Sequence, residues 1–318
     1  MSIIRTVLGD IDPNELGFTL GHEHLIGHPP EEFAEDDLTL DSEDAAIREL
    51  ESLNKAGGRA LIEMSTVDYA RDVHALAGIS KAANVHIVAA TGFNKAKFAD
   101  RYSSKLSEDA LTEWMIQDVT VGITEPPSFV SDATQTASQV VKAGLLKGAT
   151  SLNEPTEAEQ KVLRAVARSH QVTGAPVSTH TEKATWALEQ ATFLIDHGAS
   201  ANKLLIGHLD FRPDLDFLAE VASLGVYIGL DQFSKAKYLA DEARVDLVVG
   251  LLERGYSNVL LSGDMARHSY WEVFGGPGLA HIPTKIVPML KAAGVGKETL
   301  EQLFIYNPRN LLQFTPIT

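Results

Sequence analysis

Short apolar runs recur along the chain and alternate with segments in which apolar residues repeat at helical spacing. Eight of these runs have the length of strands buried in a sheet. They cover residues 17–22, 59–64, 85–91, 144–147, 176–180, 204–208, 225–230 and 259–262. The amphipathic segments between most of them predict helices over residues 43–56, 70–83, 157–173, 183–197, 215–224 and 240–253.

Alternation of strand and helix eight times predicts the α/β class and a closed parallel (β/α)8 TIM barrel, with residues 1–318 as a single domain. Residues 92–143 must then hold about two helices and a loop. An open doubly wound sheet is the structural alternative. That fold usually carries a glycine-rich phosphate loop after its first strand, where this chain has His-Glu-His at residues 22–24.

Composition and net charge limit the binding partners and the types of site that we expect for this chain. The chain has 318 residues, and its formal net charge of -16 argues against nucleic acid or an anionic membrane as a partner. It has no cysteine, which excludes disulfides, thiolate metal sites and a cysteine nucleophile. The sequence offers no secretory signal and no apolar stretch of membrane-spanning length, so we expect a cytoplasmic enzyme. A homodimer is expected only as the commonest oligomer.

Polar residues with metal-ligating chemistry fall at the ends of the predicted strands, where barrel enzymes carry their active sites. They are His22, His24, Lys147, His180, His208 and Asp264. Residues i and i+2 of a strand point the same way, so His22 and His24 can share the barrel mouth while Glu23 turns into the wall.

Each of these residues has a structural alternative when it is taken alone. A lone histidine is more often hydrogen-bonded than metal-bound, Lys147 could be a surface lysine, and Asp264 could cap the last helix. Their joint placement favours a metal site suited to Zn, Mn, Fe, Co or Ni. A lysine among such ligands requires explanation, because ammonium repels cations. Reaction with carbon dioxide would convert the amine into a carboxylate able to bridge two metals.

With these residues in place, the chain resembles the phosphotriesterase-like family of the amidohydrolase superfamily over nearly its whole length. The resemblance is carried by Gly-His-Glu-His at 21–24, Ala-Gly-Leu-Leu-Lys at 143–147, Gly-Ala-Pro-Val-Ser-Thr-His-Thr at 174–181, Ile-Gly-His-Leu-Asp at 206–210, Ser-Gly-Asp at 262–264 and Tyr-Asn-Pro at 306–308.

The resemblance implies a binuclear centre with two divalent ions, most often zinc. It assigns His22, His24, N6-carboxylated Lys147 and Asp264 to the buried ion. It assigns Lys147, His180 and His208 to the outer ion. A hydroxide bridging both ions would be the nucleophile, with Asp264 as the proton shuttle.

The loops after the seventh and eighth predicted strands are locally basic within an acidic chain. They resemble family members that hydrolyse phosphorylated sugar lactones, which implies that Lys237, Arg267 and Tyr270 hold a phosphate. Lys235 could take the place of Lys237, because the register of this loop is open. The sequence thus predicts a metal-dependent lactonase for a small anionic substrate.

Two alternatives remain open from the sequence. One is a lactonase or carboxylesterase for an unphosphorylated substrate, including acyl-homoserine lactones, with promiscuous phosphotriesterase activity. Lactonases for acyl-homoserine lactones typically carry tyrosine and arginine where this chain has Phe93-Asn94 and Gln232. The other alternative is a barrel that binds a ligand without turning it over.

Overall fold

The computed structural model describes residues 2–123 and 140–316. Its strands in these ranges are β1 (Ile4–Thr6), β2 (Gly9–Ile11), β3 (Thr19–Glu23), β4 (Ala60–Glu63), β5 (His86–Gly92), β6 (Leu145–Thr150), β7 (Val177–Thr181), β8 (Leu204–Ile206), β9 (Tyr227–Leu230) and β10 (Val259–Leu261). Strands β3 to β10 form one parallel sheet in chain order. The predicted barrel and its eight strands are confirmed, with strand ends that shift by up to three residues.

The helices between the strands are α1 (Glu43–Lys55), α2 (Val73–Ala83), α3 (Ala96–Ser103), α4 (Glu108–Thr120), α5 (Glu157–Thr173), α6 (Ala187–Asp196), α7 (Leu215–Ser223), α8 (Asp241–Glu253), α9 (Val287–Ala292), α10 (Lys297–Glu301) and α11 (Asn307–Leu312). All six predicted helices are present. The two helices predicted within residues 92–143 are α3 and α4. Part of the loop predicted in the same interval falls on residues 124–139, outside the described residues.

The predicted start of α5 has a clear physical cause. The Thr156 hydroxyl accepts a hydrogen bond from the Glu159 amide, and the Glu159 carboxylate accepts one from the Thr156 amide. This reciprocal capping satisfies amides that have no partner inside the helix. The same carboxylate reaches the Ala96 amide at the start of α3, so it ties two neighbouring helices together.

Alternation along each strand divides the core into two parts. Ala60, Ile62 and Val88 belong to a buried cluster inside the barrel, together with Ile4 of β1. Leu61, the residue between the first two, packs instead in the larger cluster under the helices. The lower interior is therefore filled with apolar side chains, and the polar residues collect at the carboxyl ends of the strands.

The ring closes between its first and last strands through contacts of particular residues. The His22 amide donates to the Ser262 hydroxyl at 3.0 Å, and the Asp264 amide donates to the His22 carbonyl at 3.1 Å. Glu23 is fully buried at the same seam, where its carboxylate accepts hydrogen bonds from Ser262 and from the Gly263 amide. Glu23 thus lies in the barrel wall, as the strand alternation predicted.

Candidate metal centre

Two histidines of β3 and its extension meet the carboxylate that follows β10. His24 Nε2 lies 3.4 Å from Asp264 Oδ1, and His22 Nε2 lies 3.8 Å from the same oxygen. Ligands bound at about 2.1 Å around a tetrahedral ion are separated by about 3.4 Å. His22 and His24 are buried and Asp264 is nearly so. The spacing and the N,O donor set therefore fit one divalent ion.

His180, near the end of β7, and His208, which follows β8, continue this cluster. The His22 and His208 ring centroids are 4.7 Å apart, and those of His180 and His208 are 4.5 Å apart. The structure thus brings the four histidines, from β3, β7 and β8 and the residues after them, into one contiguous group.

Three of the four histidines use one ring nitrogen for a protein partner. Nδ1 of His24 is 2.9 Å from the Ser65 hydroxyl, Nε2 of His180 is 3.0 Å from Glu182, and Nδ1 of His208 is 2.7 Å from Asp231. Such contacts fix the ring orientation and leave the opposite nitrogen available for a metal. Ser65, Glu182 and Asp231 were not singled out from the sequence.

His22 differs from the other three. Its Nδ1 is buried and has no hydrogen-bond partner within residues 2–123 and 140–316; the nearest carboxylate oxygen, on Asp231, is 3.6 Å away. Burial and neighbouring His208 hold the pKa of His22 well below its usual value. Burial also lowers the pKa of His24, and burial together with His208 lowers that of His180 to about 3. Metals bind neutral imidazole, so these three histidines are in the required state at neutral pH.

Lys147 lies within β6 and not at its end, because the strand continues through three further residues to Thr150. The predicted strand end is therefore wrong. Gly148 lets α5 pack closely against this part of the strand, since a Cβ there would come within 2.7 Å of Leu163. Lys147 follows Leu145 by two residues and shares its inward direction.

The Lys147 side chain is only 2% exposed, so the surface-lysine explanation is wrong. Its Nζ donates to the Met64 carbonyl at 2.8 Å. Burial lowers the pKa of Lys147 although Asp264 and Asp68 oppose the shift. A lowered pKa favours the free amine, which is the form that reacts with carbon dioxide.

Asp264 is held from its other side by two residues of the loop after β9. Its Oδ2 accepts hydrogen bonds from Lys235 Nζ at 2.8 Å and from Gln232 Nε2 at 2.9 Å. Burial would raise the pKa of Asp264, but Lys235 and His24 outweigh it and hold that pKa well below its usual value. Asp264 caps no helix in the described ranges, so the capping explanation is wrong.

The backbone of Asp264 and that of His208 adopt left-handed conformations, with φ of 46° and 64°. For residues other than glycine such conformations cost of order 1 kcal/mol and persist where the surrounding structure holds them. Both positions therefore carry backbone strain beside the histidine cluster.

A pocket of about 150 Å³ opens above the histidines and Asp264. Lys235, Arg267 and Tyr270 line one side of it, and Lys95 and Glu182 line another. Lys237, the lysine favoured from the sequence, is exposed at the rim and does not line the pocket. Its Nζ lies 5.3 Å from the Tyr270 ring centroid. The lysine within the pocket wall is the alternative, Lys235, whose side chain is buried against Asp264.

Arg267 already has acidic partners from the loop that follows β3. Its Nη1 lies 2.6 Å from Glu35 Oε1 and 3.2 Å from Asp37 Oδ2. Asp37 also accepts hydrogen bonds from the amide and the hydroxyl of Ser269. Nothing in the sequence indicated that this loop reaches across to Arg267.

Known proteins share this architecture over most of its length. A family model described as the Phosphotriesterase family matches residues 2–312. A phospho-furanose lactonase of Mycoplasmopsis synoviae (strain 53) is 31% identical over 98% of this chain and 91% of its own. A lactonase structure from Listeria monocytogenes superposes with a TM-score of 0.90 at 32% identity, covering 98% of this chain and 99% of that one.

A third relative was solved with a ligand. The phosphotriesterase homology protein from Escherichia coli, complexed with phosphate in its active site, has a TM-score of 0.86 and 28% identity, covering 95% of this chain and 100% of its own. In the part of the chain that the structure describes, none of the helices has both the length and the apolar character needed to cross a membrane. The extent of the family match and the 31% identity show that the chain belongs to the phosphotriesterase family, as a metal-dependent hydrolase.

Proposed function

We propose that this hydrolase opens the ring of a phosphorylated sugar lactone. The observation that carries the proposal is the convergence of Lys235, Arg267 and Tyr270 on the pocket beside Asp264. An ammonium, a guanidinium and a phenol are all hydrogen-bond donors suited to a phosphate. A relative named a phospho-furanose lactonase and a homologue with phosphate in its active site support the same substrate class.

For the metals, the proposal assigns His22, His24, Asp264 and N6-carboxylated Lys147 to one ion. Lys147, His180 and His208 would hold the second. Zinc is the expected metal, and Mn, Co, Fe or Ni would also suit these donors. When bound, the two ions would supply an activated water as nucleophile and polarise the lactone carbonyl.

The chain's own residues divide the remaining work. Asp264 is the carboxylate through which a proton would pass from the nucleophile to the departing ring oxygen. Lys235 and Gln232 hold its Oδ2, which restricts the direction from which the carboxylate can act. Arg267 and Tyr270 would bind the phosphate, with Lys235 or Lys237 as the ammonium partner, and so hold the ring over the cluster.

One observation favours a second candidate, a lactonase for unphosphorylated substrates. Glu35 and Asp37 already neutralise Arg267, so its guanidinium is not free to pair with a phosphate in this structure. A phosphorylated substrate must displace these carboxylates or share Arg267 with them. A neutral lactone would not need to do either.

Kinetics on matched substrates distinguish these candidates. Lactones with and without a terminal phosphate are assayed on metal-reconstituted enzyme, for the wild type and for Arg267→Met. We expect the variant to raise KM for the phosphorylated lactone by about 10- to 100-fold and to leave the neutral lactone unchanged. Arg48→Met, on the exposed face of α1, is the control.

Equal losses on both substrates would contradict the phosphate assignment. Faster turnover of neutral lactones by the wild type would favour the second candidate. Fewer than about two ions per chain together with no turnover would favour a non-catalytic binding barrel.

A further inference from the structure

The pocket has a second polar wall, and the proposed reaction does not use it. Lys95 follows β5 and Glu182 follows β7, and Lys95 Nζ contacts Glu182 Oε2 directly. In a ring of eight strands in the order β3 to β10, β5 lies diametrically opposite β9, which precedes Lys235. Lys95, with Glu182 bound to it, therefore lies on the side of the pocket opposite the strand that precedes Lys235.

The protein uses only part of the hydrogen-bonding capacity of Lys95 and Glu182. Within residues 2–123 and 140–316, the side-chain hydrogen bonds of Glu182 come from Lys95 and His180 and both use Oε2, which leaves Oε1 without a protein partner. Lys95 has a single hydrogen-bond partner in the same ranges, and an ammonium carries three donors. The wall thus presents a free acceptor and free donors side by side. A hydroxyl group can both donate and accept, so it matches this arrangement.

The loop that presents Glu182 is held in an unusual conformation. Lys183, Ala184 and Trp186 all have left-handed backbone angles, with φ between 53° and 57°. Three such residues within four positions persist only where the fold fixes them, and such conformations cluster at ligand sites. The loop that carries Glu182 therefore has a defined backbone conformation, which fixes the position of this side chain.

We propose that Lys95 and Glu182 bind the ring hydroxyl groups of the substrate and set specificity for hydroxylated over deoxygenated lactones. This inference rests on the proposed function, because it takes the carbonyl to lie at the histidine cluster and the anionic group at Lys235 and Arg267. The hydroxyl-bearing ring carbons then meet the opposite wall. The wall acts by hydrogen bonding and requires no covalent step.

The test compares a hydroxylated lactone phosphate with its 2-deoxy and 3-deoxy counterparts. We expect wild-type kcat/KM to favour the hydroxylated substrate by on the order of 30-fold, the size expected for a hydrogen bond to a charged group. Lys95→Met should remove most of that preference by slowing the hydroxylated substrate alone. Lys97→Met is the matched control, because Lys97 lies two residues away and contacts the Phe33 and Phe98 rings.

A second variant separates binding from support of the metal centre. Glu182→Gln keeps an acceptor oxygen but removes the charge, and metal content is measured with the kinetics because Glu182 also contacts His180. We expect Lys95→Met to keep full metal content while losing the hydroxyl preference. An unchanged preference in Lys95→Met, or an equal loss on all three substrates, would overturn the inference.

The same comparison on unphosphorylated lactones separates this inference from the proposed function. If the enzyme rejects phosphorylated lactones but Lys95→Met abolishes a hydroxyl preference among neutral ones, the phosphate assignment fails and the hydroxyl site stands. If phosphorylated lactones are good substrates and Lys95→Met leaves the preference intact, the hydroxyl site fails alone.

Discussion

Asp231 accepts a hydrogen bond from Nδ1 of His208 at 2.7 Å, and this contact leaves Nε2 as the ring nitrogen available to a metal. The same carboxylate lies 3.6 Å from the buried Nδ1 of His22. Burial alone would lower the pKa of His208, but the charge of Asp231 outweighs it and raises that pKa. One carboxylate thereby orients His208 and also lies beside His22, so it adjoins histidines assigned to both ions.

Asp231→Asn should weaken metal binding without removing any proposed ligand. Loss of the charge and of the fixed tautomer is expected to lower metal affinity by about 10- to 100-fold. Competition with a chromophoric chelator measures the affinity. Asp216→Asn, at the exposed partner of Arg254, is the control, and an affinity equal to that of the wild type would contradict the role given to Asp231.

Removing the acidic partners of Arg267 should strengthen binding of anionic substrates. In Glu35→Gln and Asp37→Asn, fewer protein carboxylates compete with the substrate for the Arg267 guanidinium. A largely exposed ion pair of this kind changes a binding constant by a factor of roughly two to five. KM for the phosphorylated substrate should fall by that factor. Glu31→Gln, in the same loop, provides the comparison. A rise in KM would mean that the two carboxylates position Arg267 and do not compete for it.

Lys235→Met should destabilise the metal-free protein more than the metal-loaded one. Without metal, Lys235 is a buried cation paired with Asp264, and removing one partner of such a pair costs about 3 kcal/mol of unfolding free energy. Bound metal would stabilise the Asp264 carboxylate in its place. Urea denaturation with and without chelator measures both values, and equal losses would disprove the pairing argument.

The metal-free protein should lose stability as the pH falls below about 6.5. The pKa of His180 is about 3 in the folded chain, below its unfolded value, so the unfolded state binds more protons between these limits. His180 contributes a slope of up to about 1.4 kcal/mol per pH unit in this window. The measurement is the free energy of unfolding of the wild type and of His180→Gln as a function of pH. The difference between the two curves from pH 6.5 to pH 5, a range above most carboxyl titrations, isolates the contribution of His180. Parallel curves would show that His180 is not buried in its neutral form.

Much of the fold could be predicted from the sequence, because strands buried on both faces read as continuous apolar runs between amphipathic helices. The β1–β2 hairpin was missed since each of its strands has only three residues. The end of β6 was misplaced because Gly148, Ala149 and Thr150 carry little apolar signal, although the fold buries all three.

Some features of the candidate site could likewise be predicted from the sequence, and others could not. Its six proposed ligands all lie within three residues of the end of a strand, which is a local property. Asp231 could have been found by the same rule, because it directly follows β9. The pairing of Arg267 with Glu35 joins residues 232 positions apart. The choice between Lys235 and Lys237 depends on the conformation of one loop, in which Ser234 has a φ of 75°. No local pattern encodes either feature.

The seam between β3 and β10 has a consequence for the order in which the protein matures. His22 and His24 lie near the beginning of the chain and Asp264 near its end, so they become neighbours only when the last strand docks against the first. A nascent chain that lacks β10 cannot assemble this set of donors. Metal binding at these proposed ligands would therefore report that the ring is complete, and an ion bound there would fasten the two ends of the barrel together.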